Sequence, residues 1–167
     1  MILKYYQKID DAISYLFSSV SDEKKLLKKF FNNKEIYYVD IGTNVGNYLE
    51  FMEKNFKIKK AYCFEPLTEL YSKLADKNKK QNFKFFNCAL SDQIKTKKFY
   101  IYEITSQSSF YKQKETYSSI QKIKKTKNIK TNVFDKIFNK NLKIDYCKID
   151  AQGEDYKILQ GMKKNLQ

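Results

Sequence analysis

The sequence contains no histidine and no arginine, and it has only three cysteines. Without histidine, zinc sites built on that residue and catalysis by Ser-His or Cys-His pairs are excluded. Cys63, Cys88 and Cys147 each lie in an apolar, strand-like stretch. Isolated cysteines in such stretches favour buried free thiols over disulfides or a metal centre. We therefore predict no metal site.

Long hydrophobic runs are also missing. No apolar run approaches the roughly 18 residues that cross a membrane. The N-terminus lacks the apolar block and cleavage site of a secretory signal. The sequence therefore predicts no membrane span and a cytoplasmic location. At 167 residues, a single folded domain is expected, with a helical extension at 1–34 and the main domain at 35–167.

Basic residues strongly outnumber acidic ones in this sequence. All 33 basic residues are lysine, and the formal net charge is +14. One interpretation is a polyanionic partner, such as nucleic acid or an anionic glycan. A protein that recognises nucleic acid would be expected to use arginine, whose fork grips phosphates and bases. We therefore disfavour a nucleic-acid partner and interpret the charge as maintaining solubility.

The segment from 36 to 56 changes from a strand pattern to a helix pattern. An apolar run at 36–39 leads to Asp40, and the turn that follows contains Gly42 and Gly46. Apolar residues then recur at helical spacing: Val45, Leu49, Met52 and Phe56. The glycines would allow positive φ and close approach of a ligand. The turn is either a nucleoside-cofactor loop or an ordinary strand-to-helix turn, and we favour the cofactor loop.

Strand and helix patterns alternate through much of the chain. Helices are predicted at 4–20 and 21–31, the second with Ser21 as N-cap and with four residues facing inward: Leu26, Leu27, Phe30 and Phe31. Buried parallel strands are predicted at 60–65, 83–90 and 144–150. A helix that begins at Pro66 follows the first of these strands. The helix after the last strand carries four apolar residues on one face: Ile158, Leu159, Met162 and Leu166. This order predicts a Rossmann-like α/β fold, a mostly parallel sheet with helices on both faces.

The region from 95 to 139 has a different character. Polar and aromatic residues alternate at 95–105, which indicates an antiparallel or edge strand. The lysine-rich stretch at 122–130 is interpreted as a solvated surface turn. Residues 129–133 are expected to pair back before a short helix at 134–139. No repeat or flexible linker marks a second domain.

Glu65 lies 23 residues after Gly42, at the end of the predicted second strand. In dinucleotide-binding folds, an acid about 20 residues beyond the glycine turn accepts hydrogen bonds from ribose hydroxyls. The G-x-G-x-x-G pattern that a pyrophosphate requires is absent. Asp40 places a negative charge at the turn, which disfavours phosphate and suits an ammonium or sulfonium. S-adenosyl-L-methionine fits this pattern, whereas NAD and ATP do not.

Four motifs carry a family resemblance: VDIGTNVG at 39–46, FEP at 64–66, NCALSD at 87–92 and KIDAQGEDYKILQG at 148–161. In this order and spacing, the chain resembles the FkbM family of S-adenosylmethionine-dependent methyltransferases from about residue 37 to 161. The resemblance implies a class I methyltransferase fold. It also implies O-methylation of a hydroxyl, on a sugar of a surface polysaccharide or on a secondary metabolite.

The resemblance further implies roles for individual residues. The loop around the methionine part of the cofactor would comprise Asp40, Gly42, Asn44 and Gly46. Glu65 would hold the ribose, with Pro66 and Leu67 flanking the adenine. The adenine pocket would be closed by Ala89, Leu90, Ser91 and Asp92. Asp92 is a candidate partner for the adenine amino group or, alternatively, a simple turn residue.

The transferred methyl group should emerge at the end of the last strand, near Asp150, Gln152, Gly153 and Glu154. Asp150 and Glu154 are the candidate catalytic bases, Asp150 being preferred and Lys148 a weaker choice. Asp150 could instead cap the next helix. A loop at 108–110 resembles one that covers the cleft in the family.

Two other functions remain open. An RNA or DNA methyltransferase would suit the charge, but Asp-Ala-Gln-Gly at 150–153 stands in place of the [DN]-P-P-[YFW] signature of amino-group methylation. The chain could also be a binding domain without turnover. The sequence stops in the helix after the last parallel strand, so we expect a domain truncated at its C-terminus.

Overall fold

The computed structural model describes residues 20–31, 33–113, 122–138 and 142–166. The helices are α1 (Val20–Phe31), α2 (Asn47–Asn55), α3 (Thr68–Lys77), α4 (Phe134–Ile137) and α5 (Asp155–Gln160). The strands are β1 (Glu35–Ile41), β2 (Lys57–Phe64), β3 (Phe83–Phe86), β4 (Ala89–Leu90), β5 (Thr96–Tyr102), β6 (Ile123–Asn132) and β7 (Tyr146–Ile149). A single 3₁₀ turn covers Thr105–Gln107. The predicted helix at 4–20 lies almost entirely outside the described residues.

The four strands β3, β2, β1 and β7 form one sheet in that order, and every pair is parallel. Asp40 on β1 is in register with Cys63 on β2 and with Lys148 on β7. The carboxyl ends of β1, β2 and β7 therefore meet at one edge of the sheet, where α/β folds bind ligands. The predicted parallel sheet is confirmed.

Apolar side chains pack on both faces of this sheet. Alternate residues of a strand point to opposite faces, so Tyr38 and Val39 of β1 belong to different clusters. Tyr38 packs with residues of α1 and α2, among them Leu27, Leu49 and Met52. Val39 packs with residues of α4 and α5, among them Phe134 and Ile158. Helices thus cover both faces, as the sequence predicts.

The prediction for α1 is only partly correct. Ser21 lies inside the helix and is not its N-cap. Leu27 is buried, but Leu26 and Phe30 are 54% and 68% exposed. The helix contacts the sheet along a single narrow stripe, through Leu27 and Phe31, since residues four apart lie one above the other on a helix. Leu26 and Phe30 point away from that stripe.

Replacing Leu27 with alanine is expected to lower the free energy of unfolding by about 2–3 kcal/mol, because it removes buried methyl groups and leaves a cavity. Denaturant unfolding of the purified chain measures this change. Leu26→Ala is the matched control, and we expect it to change stability by less than about 0.5 kcal/mol. Equal losses in the two variants would contradict the orientation of α1.

The predicted strand at 83–90 is two strands in different sheets. β3 ends at Phe86, and β4 pairs with β6 in a second, three-stranded sheet ordered β4-β6-β5. Asn87 lies at the change of direction and donates its side-chain amide to the carbonyl oxygens of Glu65 and Pro66. Those local hydrogen bonds fix the turn, and apolar periodicity alone does not reveal it.

The interpretation of 122–130 as a surface turn is wrong. These residues belong largely to β6, which pairs antiparallel with β5 over most of its length. The lysines of β6 are exposed, so most of the strand is held by its backbone ladder, and Thr131 near its end is the buried side chain. The antiparallel strand predicted at 95–105 is confirmed as β5.

The last helix is shorter than predicted. α5 ends at Gln160, and Gly161 is its C-cap. A Cβ atom at position 161 would overlap the carbonyl oxygen of Ser91, so the chain approaches β4 too closely for any other residue. Ile158 and Met162 are buried, whereas Leu159 and Leu166 are exposed. None of the described helices has the length and hydropathy needed to cross a membrane.

Candidate functional site

A cavity of about 460 Å³ opens at the carboxyl ends of β1, β2 and β7. Its volume falls within the roughly 300–1,000 Å³ of small-molecule sites. The floor comes from the loops after these three strands. The opposite wall comes from β5 and the segment at 103–110, through residues such as Phe99, Thr105 and Phe110. The second sheet therefore covers the ligand-binding edge of the first.

The glycine turn after β1 is fixed by close packing. Gly42 has a φ of 79°, and a Cβ atom there would overlap the backbone carbonyl oxygen of Asp150. Gly46 has a φ of 89°, and a Cβ atom there would lie 2.7 Å from Leu74 Cδ2. From the sequence, these glycines are expected to allow positive φ and the close approach of a ligand. The structure adds a different reason, because each one lets the turn pack against neighbouring protein.

Glu65 points into this crossover from the end of β2. Its Oε2 accepts the backbone N–H of Asn44 at 2.8 Å, and its Oε1 accepts the backbone N–H of Leu67 at 2.8 Å. The residue is 5% exposed and lines the cavity. Burial raises the pKa of the Glu65 carboxyl, while these two N–H groups oppose the rise. Each oxygen keeps a second lone pair, so the carboxylate can still accept hydrogen bonds from a ligand.

Asp40 lies beneath the cavity and does not line it. Its side chain is fully buried, and Lys148 Nζ lies 3.4 Å from Oδ1. Neither carboxylate oxygen forms a well-aligned hydrogen bond with any described residue. Burial raises the pKa of the Asp40 carboxyl, and the charge of Lys148 opposes the rise. From the sequence, Asp40 is expected to be a charge facing the ligand, but the structure places it behind Lys148.

Lys148 joins three groups at the cavity floor. Its Nζ donates to the carbonyl oxygen of Gly42 at 3.1 Å and lies 3.6 Å from Asp150 Oδ2 as well as near Asp40. Two carboxyl groups and a carbonyl oxygen therefore surround a single ammonium at this end of the cavity. These acceptor oxygens suit a cationic ligand group.

The two predicted catalytic acids have different surroundings. The side chain of Asp150 is 51% exposed and lines the cavity. Glu154 also lines the cavity but is 1% exposed, with Lys97 Nζ at 2.8 Å from Oε1 and 2.7 Å from Oε2. Ser91 Oγ donates to Glu154 Oε1 at 2.6 Å. Burial raises the pKa of the Glu154 carboxyl, but the hydrogen bonds from Lys97 and Ser91 outweigh it and lower the pKa overall.

The structure brings most of the predicted site residues to one cavity. Those that line it are Gly42, Asn44, Glu65, Pro66, Leu67, Ala89, Leu90, Asp150 and Glu154. Four others lie outside the lining: Asp40, Gly46, Ser91 and Asp92. Ser91 is buried behind Glu154, whereas Asp92 is exposed and accepts a hydrogen bond from Ser91. The loop predicted at 108–110 reaches the cavity through Ser108 and Phe110.

Sequence reasoning missed the residues that β5 contributes. Phe99 lines the cavity, and Lys97 holds Glu154. Lys97, Phe99 and Ile101 occupy alternate positions of the strand and therefore share one face. A lysine on an otherwise apolar face is the signal that could have revealed a buried ionic partner.

The thiols of the chain form no disulfide, and one of them lines the cavity. Cys88 lines the cavity, and burial raises the pKa of its thiol to about 11, so it stays protonated at neutral pH. All three cysteines are free. In the part of the chain that the structure describes, no three His, Cys, Asp or Glu side chains cluster as metal ligands do.

A parallel α/β sheet with helices on both faces and a cavity at its carboxyl edge defines a Rossmann-like fold. The family model of the methyltransferase FkbM domain matches residues 40–167. The chain therefore belongs to the FkbM methyltransferase family.

A solved structure supports the same fold. The crystal structure of methyltransferase FkbM from Methylobacillus flagellatus KT superposes with a TM-score of 0.51 at 14% sequence identity. The match covers 79% of this chain and 30% of that one. The present chain thus corresponds to less than a third of that protein. A comparison with curated proteins finds no match.

Proposed function

We propose that this chain is an S-adenosylmethionine-dependent methyltransferase domain that methylates a hydroxyl group. The acceptor hydroxyl belongs to a sugar of a polysaccharide or to a secondary metabolite. The observation that carries the proposal is the Glu65 carboxylate, which is fixed by two backbone N–H groups and faces a cavity at the crossover after β1. Membership of the FkbM family supports the reaction type.

The residues present fit the proposed cofactor. Glu65 offers acceptor lone pairs to the two ribose hydroxyls, which a carboxylate can receive together. Leu67, Ala89 and Leu90 provide an apolar wall of the kind that an adenine ring requires. At the floor, the exposed carboxyl of Asp150 and the carbonyl oxygen of Gly42 offer acceptors to the ammonium of the methionine part.

When bound, S-adenosylmethionine would supply an electrophilic methyl carbon on a positively charged sulfur. The chain's own task is to hold the acceptor oxygen in line with that carbon in a pocket with little water. The acceptor hydroxyl gains the methyl group and loses its proton, and we assign that proton to Asp150. Asp150 is the exposed carboxylate at the cavity edge, whereas Glu154 is already engaged by Lys97 and Ser91. We therefore assign Glu154 a positioning role.

Calorimetry with S-adenosylmethionine and a methyl-release assay on sugar acceptors test the proposal together. We expect saturable binding of the cofactor and methyl release that depends on an acceptor. Binding without turnover on any acceptor would favour a binding domain. Turnover on polynucleotide but not on sugars would favour a nucleic-acid methyltransferase. A folded chain that binds no cofactor would overturn the proposal.

Asp150→Asn is expected to lower methyl transfer by about 10²-fold or more, because the variant cannot take a proton from the acceptor. Binding of the cofactor should fall much less, by about fivefold at most, because the amide keeps the shape and one acceptor oxygen of the carboxyl but loses its charge. Asp76→Asn, on the exposed side of α3, is the matched control and should leave both quantities unchanged. A parallel loss of binding and turnover in Asp150→Asn would contradict its role as the base.

A further inference from the structure

A second, smaller cavity lies beside the first, between α3 and β6. Its volume is about 60 Å³, and it shares Leu67, Glu103 and Thr105 with the main cavity. Three lysines of β6 line its other side: Lys124, Lys125 and Lys127. We call these three residues the lysine wall. It borders the site of the proposed reaction.

The charges at this cavity are not balanced internally. Glu69 and Glu103 are the acids that line it. Lys125 Nζ lies 2.9 Å from Glu69 Oε1. Within the parts of the chain that the structure describes, neither Lys124 nor Lys127 forms an ion pair, and both are exposed. Three lysines thus face two acids at the mouth of the cavity, and the excess positive charge is available to an anionic ligand.

The positive charges of these lysines act on the Glu69 carboxyl in the cavity wall. The pKa of the Glu69 carboxyl is lowered, first by its hydrogen bond with Lys125 and then by the charges of Lys125, Lys127 and Lys124. The register of the ladder places Lys127 opposite Phe99, which lines the main cavity. A molecule that contacts the lysine wall can therefore extend towards the proposed reaction site.

We propose that the lysine wall binds an anionic substituent of the acceptor, so that the preferred acceptor is an acidic glycan that carries carboxylate groups. This inference rests on the proposed function and narrows its substrate class. Lysine presents a compact point charge on a flexible stem, and such a charge can pair with the carboxylate of an acidic sugar.

The same surface is poorly suited to nucleic acid. Binding of single strands relies on exposed aromatic rings on which bases stack. The aromatic residue that lines the small cavity is Tyr102, which is 1% exposed, and its hydroxyl accepts the backbone N–H of Gln113. A cavity of 60 Å³ has room for a small charged group but not for a base.

The test compares two double variants that remove the same charge. Lys124→Gln with Lys127→Gln alters the lysine wall, while Lys163→Gln with Lys164→Gln alters two exposed lysines after α5. The probes are a trisaccharide of galacturonic acid, the neutral galactose trisaccharide and a single-stranded oligonucleotide. Calorimetry at two salt concentrations gives the affinities, and cofactor binding is measured separately on each protein.

We expect the wild type to bind the galacturonic acid trisaccharide more tightly than the neutral one, with an affinity that falls as salt is added. The lysine-wall variant should lose about five- to tenfold in that affinity, and the control variant should match the wild type. Equal losses in both variants would overturn the proposal, because the effect would be one of net charge alone. Equal affinity for the two trisaccharides, or tighter binding of the oligonucleotide, would overturn it as well.

The cofactor titration separates the two proposals. A chain that binds S-adenosylmethionine but shows no preference for the acidic trisaccharide contradicts only the lysine-wall proposal. A chain that binds no cofactor contradicts the proposed function. In that case, binding of the acidic trisaccharide would belong to a binding module, and the acceptor proposal would be wrong too.

Discussion

Replacing Lys97 with methionine is expected to lower the free energy of unfolding by about 3 kcal/mol. The substitution leaves the buried carboxylate of Glu154 without the ammonium that contacts both of its oxygens. Removing one partner of a buried ion pair strands the other charge, which costs far more than the pair itself contributes. Lys157 Nζ stays 4.0 Å from Glu154 Oε1 and still partly compensates the carboxylate. We therefore expect a loss of stability at the lower end of the roughly 3–5 kcal/mol that is usual for a broken buried ion pair. Thermal and denaturant unfolding measure it.

The control for this prediction is Lys98→Met, the neighbouring exposed lysine of β5, which should change stability by less than about 0.5 kcal/mol. The double variant Lys97→Met with Glu154→Met should recover much of the loss, because both buried charges are gone. A double variant as unstable as Lys97→Met alone would show that packing, and not the stranded charge, dominates.

The stability of the Lys97→Met variant should also depend on pH in a defined direction. In the wild type the pKa of Glu154 is lowered, so the pair stabilises the fold above the ordinary pKa of glutamate, and that contribution is lost as the pH falls. Without Lys97, burial dominates and raises the pKa, so the variant loses stability as the pH rises. The difference between wild type and variant should therefore shrink from pH 7 towards pH 4. A constant difference would contradict this account.

Glu65→Gln is expected to weaken binding of S-adenosylmethionine by roughly 30- to 150-fold. A hydrogen bond to a charged acceptor contributes about 1.5–3 kcal/mol, and the amide also turns a donor towards the backbone N–H of Asn44 or Leu67. Because burial raises the pKa of Glu65, the wild-type affinity should begin to fall with decreasing pH above the ordinary value of 4.5. Calorimetry from pH 4.5 to 8 measures both effects.

Glu35→Gln serves as the control for Glu65→Gln. Glu35 is exposed at the start of β1, at the opposite end of the sheet from the cavity. Its substitution should leave cofactor affinity unchanged at every pH. If Glu65→Gln binds the cofactor as tightly as wild type, the ribose assignment is wrong even where the protein still transfers methyl groups.

The parallel sheet was predictable because each of its strands contains a short stretch rich in apolar and aromatic residues that is followed by a helix or a turn. The second sheet was not. β6 is mostly exposed, with lysine at four of its ten positions, so no apolar periodicity distinguishes it from a loop, and its ladders with β5 and β4 define it. The break at Asn87 was equally hidden, because it depends on hydrogen bonds to residues more than 20 positions earlier.

The site residues at the ends of the parallel strands were predictable from the sequence. Those that β5 contributes to the opposite wall of the cavity were not. Asn44, Glu65 and Asp150 follow strands of the parallel sheet, so topology alone brings them together. Lys97 and Phe99 reach the cavity because β5 folds over it, which depends on long-range pairing. The engagement of Glu154 by Lys97 was hidden for the same reason, since 57 residues separate the two in the chain.

Gly42 packs so closely against the carbonyl oxygen of Asp150 that any side chain at position 42 would overlap it. This close packing limits how the cavity can change shape. With no gap between the two backbones, the first loop and the end of β7 can shift only as a unit. Induced fit around a ligand must therefore come from β5 and the 103–110 segment. Hydrogen exchange with and without cofactor should accordingly change most at 103–110 and least at 42 and 150.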